Sequence, residues 1–182
     1  FFGAIRLGLQ FIPDMFTVLR GWVPKLILMA EVTGEDEKEL LTRCEAIVKA
    51  IKPFGYQSRI AKSKQEVQKY WKIRRESFNL LRKHVKGKRT APFIDDIVVR
   101  PHDLPQFLPE LQAILKQYDL VYTIAGHAGN GNFHIIPLMD LNNPFSGNII
   151  LELSDKVYSL VQKYKGSTTA EHNDGIIRTP YL

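Results

Sequence analysis

The chain has few of the features that mark secreted, membrane-spanning or disordered proteins. Its one cysteine, Cys44, lies in a predicted helix and cannot form an internal disulfide, which is compatible with a reducing compartment. No segment approaches the roughly 18 consecutive apolar residues needed to cross a bilayer. Residues 1–9 lack the basic stretch and cleavage site of a signal peptide, and Phe1 indicates the start of a fragment. We therefore expect a soluble, cytoplasmic protein without a transmembrane segment.

Composition indicates an ordinary folded domain. Hydrophobic residues make up 45% of the 182 residues, enough for one buried core. The net charge is +6, and much of the excess is clustered at Arg74, Arg75, Arg82, Lys83, Lys86, Lys88 and Arg89. Such a cluster could attract nucleic acid, an acidic partner or an anionic substrate. It is more simply explained as the solvated end of a helix beside a basic loop.

Helical and strand patterns alternate along the chain. Apolar residues at helical spacing and capping residues predict helices at 35–51, 63–85, 104–118 and 145–164. Short apolar or alternating runs predict strands at 25–32, with Pro24 at its start, and at 56–61, 93–99, 120–125, 132–139 and 167–170. A glycine turn joins two of these strands as a hairpin. This order favours an α+β fold, with helices packed on one face of a mainly antiparallel sheet.

The hairpin turn carries the most informative residues. His127 ends one strand and His134 enters the next, within the segment 126–134, GHAGNGNFH. A tight turn brings both imidazoles toward a common point, and the distant pair Glu171 and His172 can add a carboxylate and a proton acceptor. A lone strand histidine is most often structural, but this combination predicts a metal site.

Glu171 and His172 raise a geometric difficulty. Neighbouring residues of a strand point to opposite faces of the sheet. Both side chains can serve one site if the chain turns there, and the residues 173–175, Asn-Asp-Gly, are typical of a turn.

These motifs, together with residues 71–75, WKIRR, resemble the C-terminal domain of FAD-linked oxidases and dehydrogenases. That family includes enzymes of the glycolate oxidase, D-lactate dehydrogenase and D-2-hydroxyglutarate dehydrogenase type. The resemblance covers most of the chain. It implies that residues 1–182 form the substrate and metal domain, a ferredoxin-like cap domain, as a fragment without the FAD-binding domain.

The resemblance also implies roles for individual residues. His127, His134 and Glu171 are expected to hold a divalent metal, zinc or manganese, and His172 to act as the base. Arg74 would bind the carboxylate of a 2-hydroxy acid. In this mechanism His172 takes the proton of the metal-bound hydroxyl and a hydride passes to FAD, which the missing domain mainly binds.

Three departures from the family pattern stand in this chain. Family members usually carry Asp at the position of Asn130 and Gly at the position of Asn173. The hydroxyglutarate enzymes carry Asn at the position of Ile136. The identity of the substrate is therefore not transferred. Residues 174–178 look more like members fused to iron-sulfur modules, which makes an iron-sulfur protein a candidate partner.

Two other functions fit the same residues. The chain could be a metal-binding interaction module that joins a flavoprotein in trans, so the FAD-binding domain could lie in cis or in trans. It could also be an RNA-binding sheet that uses Phe133, but Phe133 is more simply explained as a core residue. We therefore expect no nucleic-acid partner.

Overall fold

The computed structural model describes residues 26–182, apart from the side chains of residues 73 and 77–84. Expectations that concern residues 1–25, including Pro24, lie outside the described residues. The chain divides into two compact units, Phe1–Lys62 and Ser63–Leu182. The prediction that residues 1–182 form one functional domain stays a prediction.

Among the described residues of the first unit, 26–62, there is one long helix. Helix α1, Glu37–Ile51, begins after Asp36, whose side chain accepts a hydrogen bond from the Lys38 N–H, and it carries the partly buried Cys44. The predicted strands at 56–61 and at 25–32, of which residues 26–32 are described, are wrong: the described residues there are in no strand. Leu26 and Leu28 are exposed, at 71% and 76%. An apolar run indicates a tendency to be buried, but a strand also requires a partner for its backbone groups.

The second unit is built on a four-stranded antiparallel sheet. Its strands are β1, Arg89–Thr90; β2, Ile97–Val98; β3, Val121–His127; and β4, Asn132–Met139. Strand β4 pairs with the other three, all antiparallel. Its helices are α2, Lys64–His84; α3, Leu104–Leu115; α4, Ser146–Lys163; and the short α5, Gly175–Arg178. The predicted α+β fold with an antiparallel sheet is thus confirmed, and its ferredoxin-like detail stays a prediction.

Two predicted strands are shorter than expected. The segment 93–99 pairs in the sheet only at Ile97–Val98, because Asp96 has a left-handed backbone with φ of 61° and interrupts the extended chain. The segment 167–170 keeps a single bridge between Val98 and Ser167. Both deviations lie beside the candidate site.

The core joins helices α3 and α4 to one face of the sheet. Phe133 and Ile135 of β4 belong to the same buried cluster as Phe107, Leu111, Leu153 and Val157 of these helices. Because side chains alternate along a strand, Asn132 and His134 point to the opposite face. Phe133 is 8% exposed, so it cannot stack on a base, as the RNA-binding interpretation requires.

A buried hydrogen bond also fixes the segment that precedes β2. The Tyr158 hydroxyl donates a hydrogen bond to the Phe93 carbonyl at 2.7 Å, and both residues are buried. Burial raises the pKa of the Tyr158 phenol, so it remains a donor. This bond ties α4 to the segment that leads to Asp95 and Asp96.

Within residues 26–182, no helix has the length and apolar character required to span a membrane.

Gly131 closes the turn between β3 and β4 and should tolerate no side chain. Its φ is 72°, and an added Cβ would lie 1.7 Å from the Val99 carbonyl oxygen. We expect Gly131→Ala to lower the free energy of unfolding by at least about 2 kcal/mol, from left-handed strain and overpacking. Gly129→Ala, in the same turn, meets nothing within 4 Å and should change it by less than about 0.5 kcal/mol. Urea denaturation measures the free energy of unfolding of both variants. An equal loss in the two variants would contradict this account of the turn.

Candidate metal centre

The β3–β4 hairpin brings the two motif histidines to the same face. His127 pairs with Asn132 and Ala125 pairs with His134, so the two histidines are diagonal neighbours on adjacent strands. Their ring centroids are 6.0 Å apart and the rings are nearly perpendicular, at 89°. The register of the hairpin therefore produces the convergence that the sequence predicts.

Glu171 approaches both histidines from a separate segment. Its Oε2 atom lies 3.5 Å from His127 Nε2 and 3.6 Å from His134 Nε2. The His172 ring lies beside them, with its centroid 5.1 Å from that of His134. All four of these sequence-predicted residues are thus brought together.

The distance from Glu171 to each of the two histidines suits a shared cation. Two ligand atoms that are each about 2.1 Å from a tetrahedral zinc ion lie roughly 3.4 Å apart. The observed nitrogen-to-oxygen distances of 3.5 and 3.6 Å are close to that separation. Imidazole nitrogen and carboxylate oxygen are also ligands that zinc and manganese accept. The residues present therefore fit a divalent metal.

A buried nitrogen of His134 supports the same fit. His134 Nδ1 is buried without a hydrogen bond of normal geometry among the described residues, but it faces Asp95 Oδ1 at 3.3 Å and Asp96 Oδ1 at 3.9 Å. A carboxylate at this position favours the tautomer that carries its proton on Nδ1. That tautomer leaves the Nε2 lone pair free on the side of Glu171, as a metal ligand requires.

Asp96 is one residue of this region that no pattern in the sequence indicated. Its carboxylate is fully buried and accepts hydrogen bonds from the N–H groups of Ala170, Glu171 and His172, at 2.9, 2.9 and 2.8 Å. Asn132 Nδ2 adds a bond of 3.0 Å. Burial alone raises the pKa of Asp96, but these hydrogen bonds outweigh it and the pKa is lowered. Asp96 is therefore a buried, ionised carboxylate.

Asp96 also lies in a second possible ligand group. Atoms of Asp96, His134, Glu171 and His172 lie within 4.8 Å of one another, a set that omits His127. We favour the trio that includes His127, because the Asp96 oxygens already accept bonds from the loop and from Asn132. An oxygen whose lone pairs are occupied by N–H donors is a poor metal ligand.

Three other residues singled out in the sequence are Arg74, Asn130 and Asn173. Arg74 is exposed on α2, with its guanidinium 5.6 Å from the centroid of the Trp71 ring; its role in carboxylate binding stays a prediction. Asn130 is exposed in the hairpin turn. The Asn173 carbonyl accepts a hydrogen bond from Arg178 Nη2 at 2.6 Å. Asn173 thus takes part in holding the loop through its backbone.

Arg178 is a second residue that sequence reasoning missed. It is 4% exposed and donates to the carbonyls of Asp95, Asn173 and Asp174. These bonds tie the chain after His172 back to the segment that carries Asp96. A lone arginine near the end of a chain gives no sequence signal for such a role, whereas a buried arginine in a structure requires partners.

The cluster is open on one side. The side chains of His127 and Glu171 are 41% and 44% exposed, whereas that of His134 is 14% exposed. A ligand can therefore approach from the side of His127 and Glu171, while the other side is closed by Asp95 and Asp96.

Comparison with known proteins gives a consistent family. Residues 13–182 match the family model described as "FAD linked oxidases, C-terminal domain". The chain is 27% identical over 161 residues to a D-2-hydroxyglutarate dehydrogenase of Pseudomonas putida, covering 86% of this chain and 16% of that protein. It is 28% identical over 152 residues to the glycolate oxidase subunit GlcD of Escherichia coli, covering 82% of this chain and 29% of the relative.

A third relative is more similar over a shorter range. The D-2-hydroxyglutarate dehydrogenase of Stutzerimonas stutzeri is 32% identical over 129 residues, which is 68% of this chain and 26% of that protein. The chain thus spans less than a third of the length of each of these relatives. The match of the family model over residues 13–182 nevertheless covers nearly all of the sequence, and the chain belongs to the family of C-terminal domains of FAD-linked oxidases.

Proposed function

We propose that this chain is the substrate- and metal-binding domain of an FAD-dependent 2-hydroxyacid dehydrogenase or oxidase. The observation that carries the proposal is the convergence of His127 Nε2 and His134 Nε2 on Glu171 Oε2, with His172 beside them. The substrate class is supported by the relatives, which are named for D-2-hydroxyglutarate and glycolate, two 2-hydroxy acids. FAD is bound mainly outside these residues, and the cytoplasm is the proposed location.

Each residue of the cluster has a distinct proposed task. His127, His134 and Glu171 hold a divalent metal, zinc or manganese, with the Nδ1 proton of His134 directed to Asp95. When bound, the metal would make the 2-hydroxyl of the substrate more acidic, and FAD would supply the hydride acceptor. A ring nitrogen of His172 takes the hydroxyl proton. Because His172 is exposed and lies beside His134, it can reach a substrate bound at the cluster.

The remaining task is to bind the substrate carboxylate, and an arginine is the suitable residue because it is positively charged. A 2-hydroxy acid carries a carboxylate next to the reacting carbon, and a guanidinium binds such a group with two parallel hydrogen bonds. Arg74 is the residue proposed for this contact, since it is exposed on α2 and lies in the WKIRR motif. An iron-sulfur protein remains a proposed electron-accepting partner.

The division between metal ligands and base predicts separable effects. His127→Ala and Glu171→Ala should each lower bound zinc or manganese at least tenfold, because each removes one of three protein ligands. His172→Ala should keep near-stoichiometric metal and abolish turnover in the polypeptide that includes the flavin-binding region. Elemental analysis after metal loading and desalting measures the first effect, and a steady-state assay measures the second.

The matched control is His102→Ala. His102 is an exposed histidine whose Nε2 lies near Asp103, so its removal should leave the metal content unchanged. Equal metal loss in the His127, His172 and Glu171 variants would contradict the division of roles. No metal in any variant or in the wild type would favour an interaction module that joins a flavoprotein in trans.

Arg74→Lys should separate substrate binding from metal binding. Lysine keeps the charge but loses the two-pronged contact, so we expect KM for the 2-hydroxy acid to rise about tenfold or more. Metal content should not change. Arg75→Lys, on the same exposed part of α2, is the control, and an unchanged KM in both variants would exclude Arg74 as the carboxylate-binding residue.

A further inference from the structure

We infer that Asp96 is a positioning residue that holds Glu171 and His172 in the orientation required by the metal centre. The inference rests on the proposed function, because it assigns Asp96 the task of arranging a ligand and a base. Asp96 lies outside the glycine turn, the Glu-His pair and the WKIRR motif, and it is hydrogen-bonded both to the loop 170–172 and to Asn132.

Asp96 imposes curvature on the loop. One carboxylate oxygen, Asp96 Oδ2, accepts three consecutive backbone N–H groups, those of Ala170, Glu171 and His172. In a strand, successive N–H groups point in opposite directions. Three that converge on one oxygen require a backbone that curls around it, which is the local arrangement that binds anions.

This curvature removes the difficulty raised by strand alternation. An extended chain would send Glu171 and His172 to opposite faces. With the backbone bent at residues 170–172, ligand atoms of both side chains come within 4.8 Å of each other and of His134. The Glu-His pair can therefore supply both a metal ligand and a base to one site.

Asp96 is also anchored to the strand that carries His134. Asn132 Nδ2 donates to Asp96 Oδ1 at 3.0 Å and to the Ile97 carbonyl at 3.3 Å, and Ile97 pairs with Phe133 in the sheet. Asp96 is thus fixed relative to β4 on one side and holds the loop on the other. It is the direct link between the two segments that supply the site.

The backbone of Asp96 itself has an unusual conformation. Its φ of 61° lies in the left-handed region, where a non-glycine residue costs free energy. In this conformation its fully buried carboxylate receives the loop amides. Glycine and asparagine adopt the same φ readily, so both are suitable substitutions for removing the charge without adding backbone strain.

The test compares wild type, Asp96→Asn and Asp96→Gly in the full 182-residue chain. Amide hydrogen exchange should detect protection at Ala170, Glu171 and His172 in wild type. Protection of these three amides should fall roughly tenfold to 100-fold in both variants, with β4 amides such as that of Ile135 unchanged. Zinc affinity should fall by about the same range.

The control is Asp119→Asn, which removes an exposed carboxylate just before the opposite end of β3. It should alter neither the three amides nor zinc binding. Uniform loss of protection across β4 in both Asp96 variants would indicate general destabilisation and overturn the inference. Unchanged zinc affinity in a variant whose three amides have opened would also overturn it.

A metal-independent readout separates this inference from the proposed function. The rings of His134 and His172 are 5.1 Å apart, so a nuclear Overhauser contact between them is expected in the metal-free chain. The contact should be lost in both Asp96 variants and kept in Asp119→Asn. If the wild-type chain binds no zinc, the proposed function fails, but the contact between His134 and His172 still tests the role of Asp96. Persistence of this contact in both Asp96 variants would overturn the positioning role.

Discussion

The rest of the site depends on the hydrogen bonds that backbone N–H groups donate to one buried carboxylate, that of Asp96. An unpaired carboxylate would be costly in the interior. Asp96 is fully buried but accepts three loop amides and the Asn132 side chain. The same bonds that stabilise the charge also bend the chain at Glu171 and His172. Stability and the arrangement of the site therefore have one physical cause.

The parts of the site that could be predicted from the sequence are those determined by local spacing. A glycine turn between two strands fixes the register of a hairpin, and this register sets His127 diagonal to His134. The contributions of Asp96 and Arg178 depend on contacts between segments more than 70 residues apart. Such contacts leave no local pattern. The left-handed backbone of Asp96 also interrupts the segment 93–99, which its apolar residues predict to be one strand, so that the strand begins only at Ile97.

The predicted strand at 25–32 was wrong for a different reason. Its described residues Leu26 and Leu28 are apolar enough for a buried strand, yet they are exposed and belong to no strand among the described residues. An apolar composition indicates that a segment favours burial, but it does not identify the strand with which the segment would pair. Helix predictions were more accurate, because a helix such as α4 forms its backbone hydrogen bonds within its own segment.

The central claim is that one divalent cation is shared by two hairpin histidines and the loop glutamate. The most direct measurement is a crystal structure of the zinc-loaded chain with anomalous diffraction at the zinc edge. The account predicts one strong peak within about 2.3 Å of His127 Nε2, His134 Nε2 and a Glu171 carboxylate oxygen, with Asp96 still bonded to the loop amides. A peak bound by Asp96 in place of His127, or no peak at the cluster, would contradict it.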